Sequence, residues 1–379
     1  MLASGTKTRP LISIFLPTLN EGHGIHRCLD SLLSQDGVSC EIEVLAIDGG
    51  SKDNTLEILR AYASRDARVR IFANERRRTP FAYNLGLREA RGEYVCIFGG
   101  HTMASPDYFS TCLDELIARG AGSCGGRVVS IPAADTLQAR LASWAAGHSF
   151  GSSSKSFRTY SEGYVDSVNY GVMRRELPLA MGGYDEELLR NQDNDMNHKL
   201  RTHGHSMYCT WKTQCYYWTK STLGGLFEYM RANGYWNVIS LKINPGSMAA
   251  RHFIPFVFVA CLIASSLLAA SGAFLPAPNK WVAFAPLIAA LGAHLFVGLL
   301  AALEIARRER SFAALLLPPV FLGIHLAYGF GTLSGFFRYP ESLQYALGVR
   351  KPSPKPPAIS FVEQLKTANA AGGQDALQG

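Results

Sequence analysis

Two patterns of apolar positions divide the chain. In the first, short apolar runs alternate with stretches whose apolar residues recur every three or four positions. Leu11–Leu16 is a continuous run, and Glu43–Ile47 carries another. Such runs predict strands buried on both faces. Leu11–Leu16 is also too short for the apolar core of a signal peptide and leads into a polar turn, so it is read as a strand. Between the two runs, Ile25, Leu29, Leu32 and Leu33 share one helical face. Leu56–Ala63 predicts a second helix, Val69–Ala73 a short strand, Pro80–Ala90 a third helix and Tyr94–Phe98 a fourth strand. This β-α-β-α-β alternation, with polar turns after the strands, implies a doubly wound parallel α/β sheet. Its ligand would lie in the crevice above the carboxyl ends of the strands.

The middle of the chain is less regular. Asp107–Arg119 predicts a helix, Ala121–Ile131 contains a strand, and Val165–Val172 predicts another. Ser149–Tyr160, rich in Ser and Gly, reads as a flexible loop over an acceptor site or as a surface connection. A turn at Gly182–Asp185 leads to a helix over Arg190–Arg201, with Asn191 at its N-cap and Asp193 in its first turn. Leu189, Met196 and Leu200 follow helical spacing, and Asp193 shares their face. Alone, such a carboxylate is more often a cap or half of an ion pair than a catalyst.

The second pattern begins after residue 250. Ile254–Leu275, Trp281–Ala306 and Phe312–Phe337 are three apolar runs near or above the roughly 20 residues that span a bilayer. Pro318 and Pro319 in the third suggest a kink or a re-entrant segment. Gly225–Asn244 mixes Phe227, Tyr229, Arg231, Tyr235, Trp236 and Lys242 at helical spacing, as in an amphipathic helix at a membrane interface. Arg307-Arg308-Glu309-Arg310 would be cytoplasmic by the positive-inside rule, which puts the N-terminal domain in the cytoplasm of a bacterial cell, at the plasma membrane. The basic residues Arg338, Arg350, Lys351 and Lys355 conflict with three complete crossings. The expected organisation is a catalytic domain over 1–225, an interfacial segment over 226–252, a membrane region over 253–338 and a disordered tail over 339–379.

Composition sharpens this picture. Hydrophobic residues are 47% of 379, and the net charge of +7 suits contact with anionic lipid. The charge forms no stripe interleaved with aromatics, so nucleic acid is not an expected partner. Eight cysteines without CxxC pairs or a His cluster predict reduced thiols. Asp48-Gly49-Gly50-Ser51-Lys52-Asp53-Asn54-Thr55 follows the second strand, with acids where a nucleotide base and ribose would lie; a solvated, capped turn is the alternative. The absence of GxGxxG and GxxxxGK[ST] argues against dinucleotide-binding dehydrogenases and P-loop enzymes.

Four blocks in order carry a resemblance: Pro17-Thr18-Leu19-Asn20-Glu21, the Asp48–Thr55 turn, Ala82-Tyr83-Asn84-Leu85-Gly86 and Ala90-Arg91-Gly92-Glu93-Tyr94. They resemble the nucleotide-binding half of the family 2 inverting glycosyltransferases, which have a GT-A (Rossmann-like) fold. Val165–Val168, Gly182–Glu186, Asn191-Gln192-Asp193 and Asn233–Asn237 resemble the succinoglycan-type exopolysaccharide glucosyltransferases. The resemblance implies that Pro17, Glu21, Asp48 and Asp53 hold the uridine of a UDP-sugar, that Arg78 lies near its diphosphate, and that Asp193 is the general base. The acceptor would be a polyprenyl-diphosphate-linked glycan in surface polysaccharide assembly. Gln192, Arg231 and Trp236 would lie on the acceptor or interface side.

One departure matters. The family places a metal-binding Asp-x-Asp or Asp-x-His after the fourth strand, whereas this chain reads Phe98-Gly99-Gly100-His101-Thr102. Mg or Mn would have to be held by His101 without the usual Asp at Gly99, and His101 reads equally as a plain loop histidine. This departure leaves open a degenerate, scaffolding homologue. A processive synthase is a further alternative, set against by Glu228-Tyr229-Met230-Arg231-Ala232 where a Gln-x-x-Arg-Trp motif is expected.

Overall fold

The computed structural model describes residues 9–349 apart from 273, 277, 278 and 348. The residues read as a disordered end at 351–379 lie outside that range. The chain forms two compact units. One is the described part of Met1–Val128 with Tyr160–Tyr217; the other is Val129–Thr159 with the described residues from Trp218 onward.

The first unit begins with β1 (Leu11–Thr18), α1 (Ile25–Leu33), β2 (Glu41–Asp48), α2 (Thr55–Ala63), β3 (Val69–Ala73), α3 (Thr79–Glu89) and β4 (Tyr94–Ile97). The alternation predicted from apolar runs is therefore present element by element. β5 (Thr102–Ala104), α4 (Tyr108–Arg119) and β6 (Ser123–Ile131) follow. After α5 (Leu137–Ala146) and α6 (Ser149–Ser152) of the second unit, the chain returns as β7 (Gly163–Tyr164), β8 (Val172–Arg174), α7 (Glu176–Ala180), α8 (Gln192–Thr202) and β9 (Met207–Trp218). Among the described residues these strands form one nine-stranded sheet in the order β3-β2-β1-β4-β8-β6-β9-β5, with β7 beside β9. β1 runs parallel to β2 and β4, in the registers Leu11↔Glu41 and Ile12↔Tyr94. β8 is antiparallel to β4 and β6. The sheet is thus mixed: parallel through its nucleotide-type half, with β8 running against both of its neighbours.

Burial follows from the sequence of the strands. Ile12, Ile14, Phe15 and Leu16 are fully buried, as are Val44, Leu45 and Ala46 of β2. One core packs Phe15, Leu45, Ile47, Leu87 and Val95 with Met196 and Leu200 of α8. α3 lies close to β1 because Gly86 has no side chain; a Cβ there would stand 2.6 Å from the Phe15 ring. Glu43 is buried but fully engaged, accepting from Ser13 Oγ at 2.6 Å, the Arg91 amide at 2.8 Å and Arg70 at 3.0 Å.

Several expectations need correction. Val165–Val172 is not a strand: only its last residue enters β8, and the rest is an irregular link. Tyr170 is left-handed (φ 58°), and its carbonyl accepts from the Tyr108 hydroxyl at 3.0 Å and Cys96 Sγ at 3.3 Å instead of a ladder partner. β9, twelve residues long, went unpredicted although it reads MYCTWKTQCYYW, rich in β-branched and aromatic residues. Ser149–Thr159 is not an open loop. It contains α6 and folds back on itself, with Thr159 Oγ1 donating to the Ser153 carbonyl at 2.6 Å and Ser152 Oγ to that of Ala146 at 2.7 Å.

The second unit is helical. α9 (Leu223–Ile243) is followed by α10 (Ile254–Gly272), α11 (Asn279–Glu309), α12 (Leu317–Arg338) and α13 (Glu341–Ala346). Three segments, Ala250–Gly272, Trp281–Glu309 and Phe312–Arg338, are long and apolar enough to cross a membrane. Pro318 and Pro319 fall in the first turn of α12, where a missing N–H costs no intrahelical bond, so they do not kink it. Residues 341–346, expected in the disordered tail, form α13, and Glu341 pairs with Lys242 at 3.3 Å.

α9 packs backbone-close along α12. A Cβ on Gly331 would overlap the Arg231 carbonyl, one on Gly234 the Tyr328 carbonyl, and one on Gly335 would lie 2.8 Å from Val238 Cγ2. Gly331 and Gly335 are four apart, the small-residue spacing that lets helices approach without a hydrophobic driving force. Asn237 donates to the Tyr328 hydroxyl across the same seam. Gly331→Leu should therefore force the pair apart and destabilise the full-length protein by about 1–3 kcal/mol. Gly224→Leu, at an α9 position with open space around it, should not. Thermal unfolding of both variants in detergent checks the contrast.

Candidate active site

The turns after β1 and β2 are knitted together by their own polar groups. Asn20, left-handed at φ 55°, donates its amide N–H to Ser51 Oγ at 2.9 Å and accepts from the Lys52 amide at 2.8 Å. The Glu21 amide donates to Thr55 Oγ1 at 2.8 Å, and the Gly22 amide to Asp53 Oδ2 at 3.0 Å. Asp48, 6% exposed, accepts from the amides of Gly50 and Ser51 at 2.9 and 3.0 Å and from Ser51 Oγ at 2.5 Å. Asp53 accepts from the Thr55 hydroxyl at 2.6 Å, which holds its carboxyl below the usual range. Pro17 sits in β1 opposite Ile47. Pro17, Glu21, Asp48 and Asp53 are thus gathered at the carboxyl edge of β1 and β2.

The run Arg76-Arg77-Arg78 borders this edge. Arg78 is exposed at the N-cap of α3, and its carbonyl accepts from Asn74 Nδ2 at 2.9 Å. Arg77 is left-handed (φ 55°), and its guanidinium lies over Gly50: a Cβ there would stand 3.2 Å from Nε. Sequence reasoning singled out Arg78 and passed over Arg77, although the run of three arginines marks both.

α3 organises what comes next. The side-chain amide of Asn84 donates to the Tyr184 carbonyl at 2.9 Å and to Glu186 Oε1 at 3.1 Å, and its oxygen accepts from the Tyr184 amide at 2.8 Å. Gly182 and Gly183, at φ 77° and 75°, turn the chain tightly there. From the preceding position of α3, the Tyr83 ring meets that of Tyr184 edge-on at 5.0 Å. Burial raises the hydroxyl pKa of both tyrosines, and the negative charge of Asp193 adds to it.

Asp193 stands in the first turn of α8, half-buried. Its Oδ2 accepts from Asn169 Nδ2 at 3.1 Å and its Oδ1 from the Asn194 amide at 2.9 Å. Asn191 occupies the N-cap but is left-handed (φ 63°), and its side chain makes no capping bond. The fully buried carboxylate of this helix is Asp195, 2% exposed and paired with Lys199 at 2.9 Å. The apolar face therefore carries a structural ion pair that spacing did not reveal, while Asp193 lies at its margin. Gln192 is buried, and among the described residues its Nε2 donates to no protein atom.

The loop after β4 lies beside this group. Phe98 packs against Tyr170, the neighbour of Asn169, at 5.2 Å between ring centroids. His101 Nδ1 is 3.3 Å from Glu21 Oε1, and its ring meets Tyr217 edge-on at 5.1 Å. Glu21 is thus the carboxylate that approaches His101.

Comparison with known proteins decides the class. Residues 13–177 match the model of glycosyl transferase family 2. The succinoglycan biosynthesis protein ExoA of Rhizobium meliloti is 30% identical over 227 residues, 59% of this chain and 67% of that protein. This chain belongs to glycosyltransferase family 2. A dolichyl N-acetyl-alpha-D-glucosaminyl phosphate 3-beta-D-2,3-diacetamido-2,3-dideoxy-beta-D-glucuronosyltransferase of Methanococcus voltae is 26% identical over 255 residues, 61% of this chain and 77% of that one. A mannosyltransferase from Pyrobaculum calidifontis, solved with GDP-Man and Mn2+, superposes with a TM-score of 0.51 at 19% identity, covering 86% of this chain and 88% of its own. The fold is GT-A, and the protein is a glycosyltransferase with relatives in glycan and polysaccharide biosynthesis.

A family 2 enzyme raises the question of a divalent cation. Among the described residues no three His, Cys, Asp or Glu side chains are grouped to hold one. The Glu21–His101 pair offers one carboxylate and one imidazole, and Gly99 contributes no side chain. Mg and Mn favour oxygen-rich sets, so these residues do not make a resident metal site. Arg231 and Trp236, the other expected acceptor residues, stand on α9 in the second unit.

Two outcomes follow. Gly99→Asp meets no clash, since a Cβ there lies 3.6 Å from His101 Cε1. It should raise Mn2+ affinity at least about tenfold, as second carboxylate ligands do; calorimetric titration of both proteins with Mn2+ in the presence of UDP reads this. Asn84→Ala removes three buried bonds. It should cost about 1–3 kcal/mol in thermal unfolding and lower glycosyl transfer more than UDP binding, because it frees the turn that leads to Asp193.

Proposed function

We propose that this protein is an inverting glycosyltransferase that moves a sugar from a UDP-sugar, UDP-glucose first among candidates, to a polyprenyl-diphosphate-linked glycan in bacterial surface polysaccharide assembly. The observation that carries the reading is Asp193: a half-buried carboxylate at a helix N-terminus, held through both oxygens, in a GT-A fold whose nucleotide-type edge is intact. Glu43 and Asp195 are engaged with cationic partners in the core, whereas Asp193 accepts from the neutral amides of Asn169 and Asn194.

Asp193 takes the proton of the acceptor hydroxyl as that oxygen attacks the anomeric carbon. The bond from that carbon to the diphosphate oxygen breaks with its electron pair staying on UDP. One displacement converts an α-linked donor into a β-linked product. Asp48, Asp53, Glu21 and Pro17 shape the nucleoside site. The charge that grows on the leaving diphosphate is met by fixed cations, Arg78 first, with Arg77 and Lys52 at the same edge. Gln192 offers its buried amide to the acceptor side. The apolar helices keep the enzyme at the lipid that carries its acceptor, and the use of a nucleotide sugar places the catalytic unit in the cytoplasm.

The test is a donor screen with the full-length protein in detergent and bacterial lipid extract, reading sugar transferred to lipid. Turnover of a UDP-sugar is expected. Asp193→Asn should lower transfer at least about a hundredfold while UDP binding stays at the wild-type value. Wild-type transfer in that variant would sink the assignment of the base.

A further inference from the structure

Resting on that reading of Asp193, we propose that Asn169 is the positioning residue for the base, holding its carboxylate in the rotamer that faces the acceptor. The contact is 3.1 Å, from Asn169 Nδ2 to Asp193 Oδ2, between residues 24 apart in sequence. The other oxygen, Oδ1, is taken by the first-turn amide of Asn194 at 2.9 Å. Two donors from two directions leave the carboxylate no free rotation.

The backbone around Asn169 is built to hold this position. Tyr170 is left-handed, a conformation costing a non-glycine residue about 1–2 kcal/mol. Its carbonyl is pinned by the Tyr108 hydroxyl and Cys96, and its ring by Phe98. The Val168 carbonyl accepts from Asn197 Nδ2 at 3.4 Å, about one turn along α8 from Asp193. Val168 and Asn169 press onto Gly125, where a Cβ would stand 2.5 Å from Val168 Cγ1 and 3.1 Å from the Asn169 carbonyl. Tyr170 beside Asn169 is thus a strained residue held by its surroundings, as backbone is at a site.

An amide suits the task. It donates to the carboxylate without competing for the proton that the base must accept.

The test uses full-length wild type, Asn169→Ser, Asn169→Asp and Asp193→Asn in detergent, assayed with the UDP-sugar that the screen selects and bacterial lipid extract. Asn169→Ser should lower kcat about tenfold with the donor KM unchanged, because the base is no longer held toward the acceptor. Asn169→Asp removes the donor at the same side-chain length and should lower kcat at least about as much. UDP binding at the wild-type value reports intact folding. Wild-type kcat in both Asn169 variants, with Asp193→Asn inactive, overturns the role of Asn169 alone. Activity in Asp193→Asn overturns the base and the positioning together. Loss of UDP binding in both Asn169 variants makes the residue structural and overturns the proposal as well.

Discussion

The side-chain amide of Asn84 is the constraint on which the site depends. It sits on α3, in the nucleotide-type half of the sheet, and binds both backbone groups of Tyr184 in the turn that leads to α8. It adds to the bonds of the Gly182-Gly183 turn itself, whose amides donate to the Leu179 and Pro178 carbonyls and whose Gly183 carbonyl accepts from Lys199. A buried amide left without partners would cost about 1–3 kcal/mol, so the folded state holds the two elements together firmly. Gly86, two residues on, brings α3 down onto Phe15, and Tyr83 supplies the ring beside Tyr184. A five-residue block on one helix thus sets the sheet contact, the turn and the surroundings of Asp193.

The acids of the nucleotide-type edge illustrate a different economy. Asp48 and Asp53 use their oxygens on amides and hydroxyls of their own turns. They order the loops first, and any contact with a nucleotide uses the lone pairs that remain. Capping and ligand binding are therefore successive consequences of one geometry. His101 has Glu21 beside it, and Gly99 stands where the family would place an aspartate two residues earlier.

The helical unit is organised by absence of side chains. Glycines on α9 and α12 bring the backbones close enough for one helix to meet the carbonyls of the other. Polar groups inside this unit are linked to each other: His325 Nε2 lies 2.9 Å from the Phe150 carbonyl and its Nδ1 2.8 Å from His294 Nε2. Each such bond settles a group that hydrocarbon could not.

The amino-acid sequence determined the β-α-β order, the helices after residue 250 and the family, because apolar periodicity and Gly/Asp-rich turns are local signals. It also marked Asp193, since a helix N-terminus is legible within a few residues. Tertiary structure decided what depends on distant partners. Asp195 took the fully buried position on α8 because Lys199, which also donates to the Gly183 carbonyl, pairs with it there. Val165–Val172 lost its strand to the anchoring of Tyr170, and β9 was missed because its pairing with β5 and β7 is remote in sequence. Asn169 carried no signal at all: nothing in its neighbours announces a bond to a carboxylate 24 residues away, and only the folded backbone brings the two side chains together.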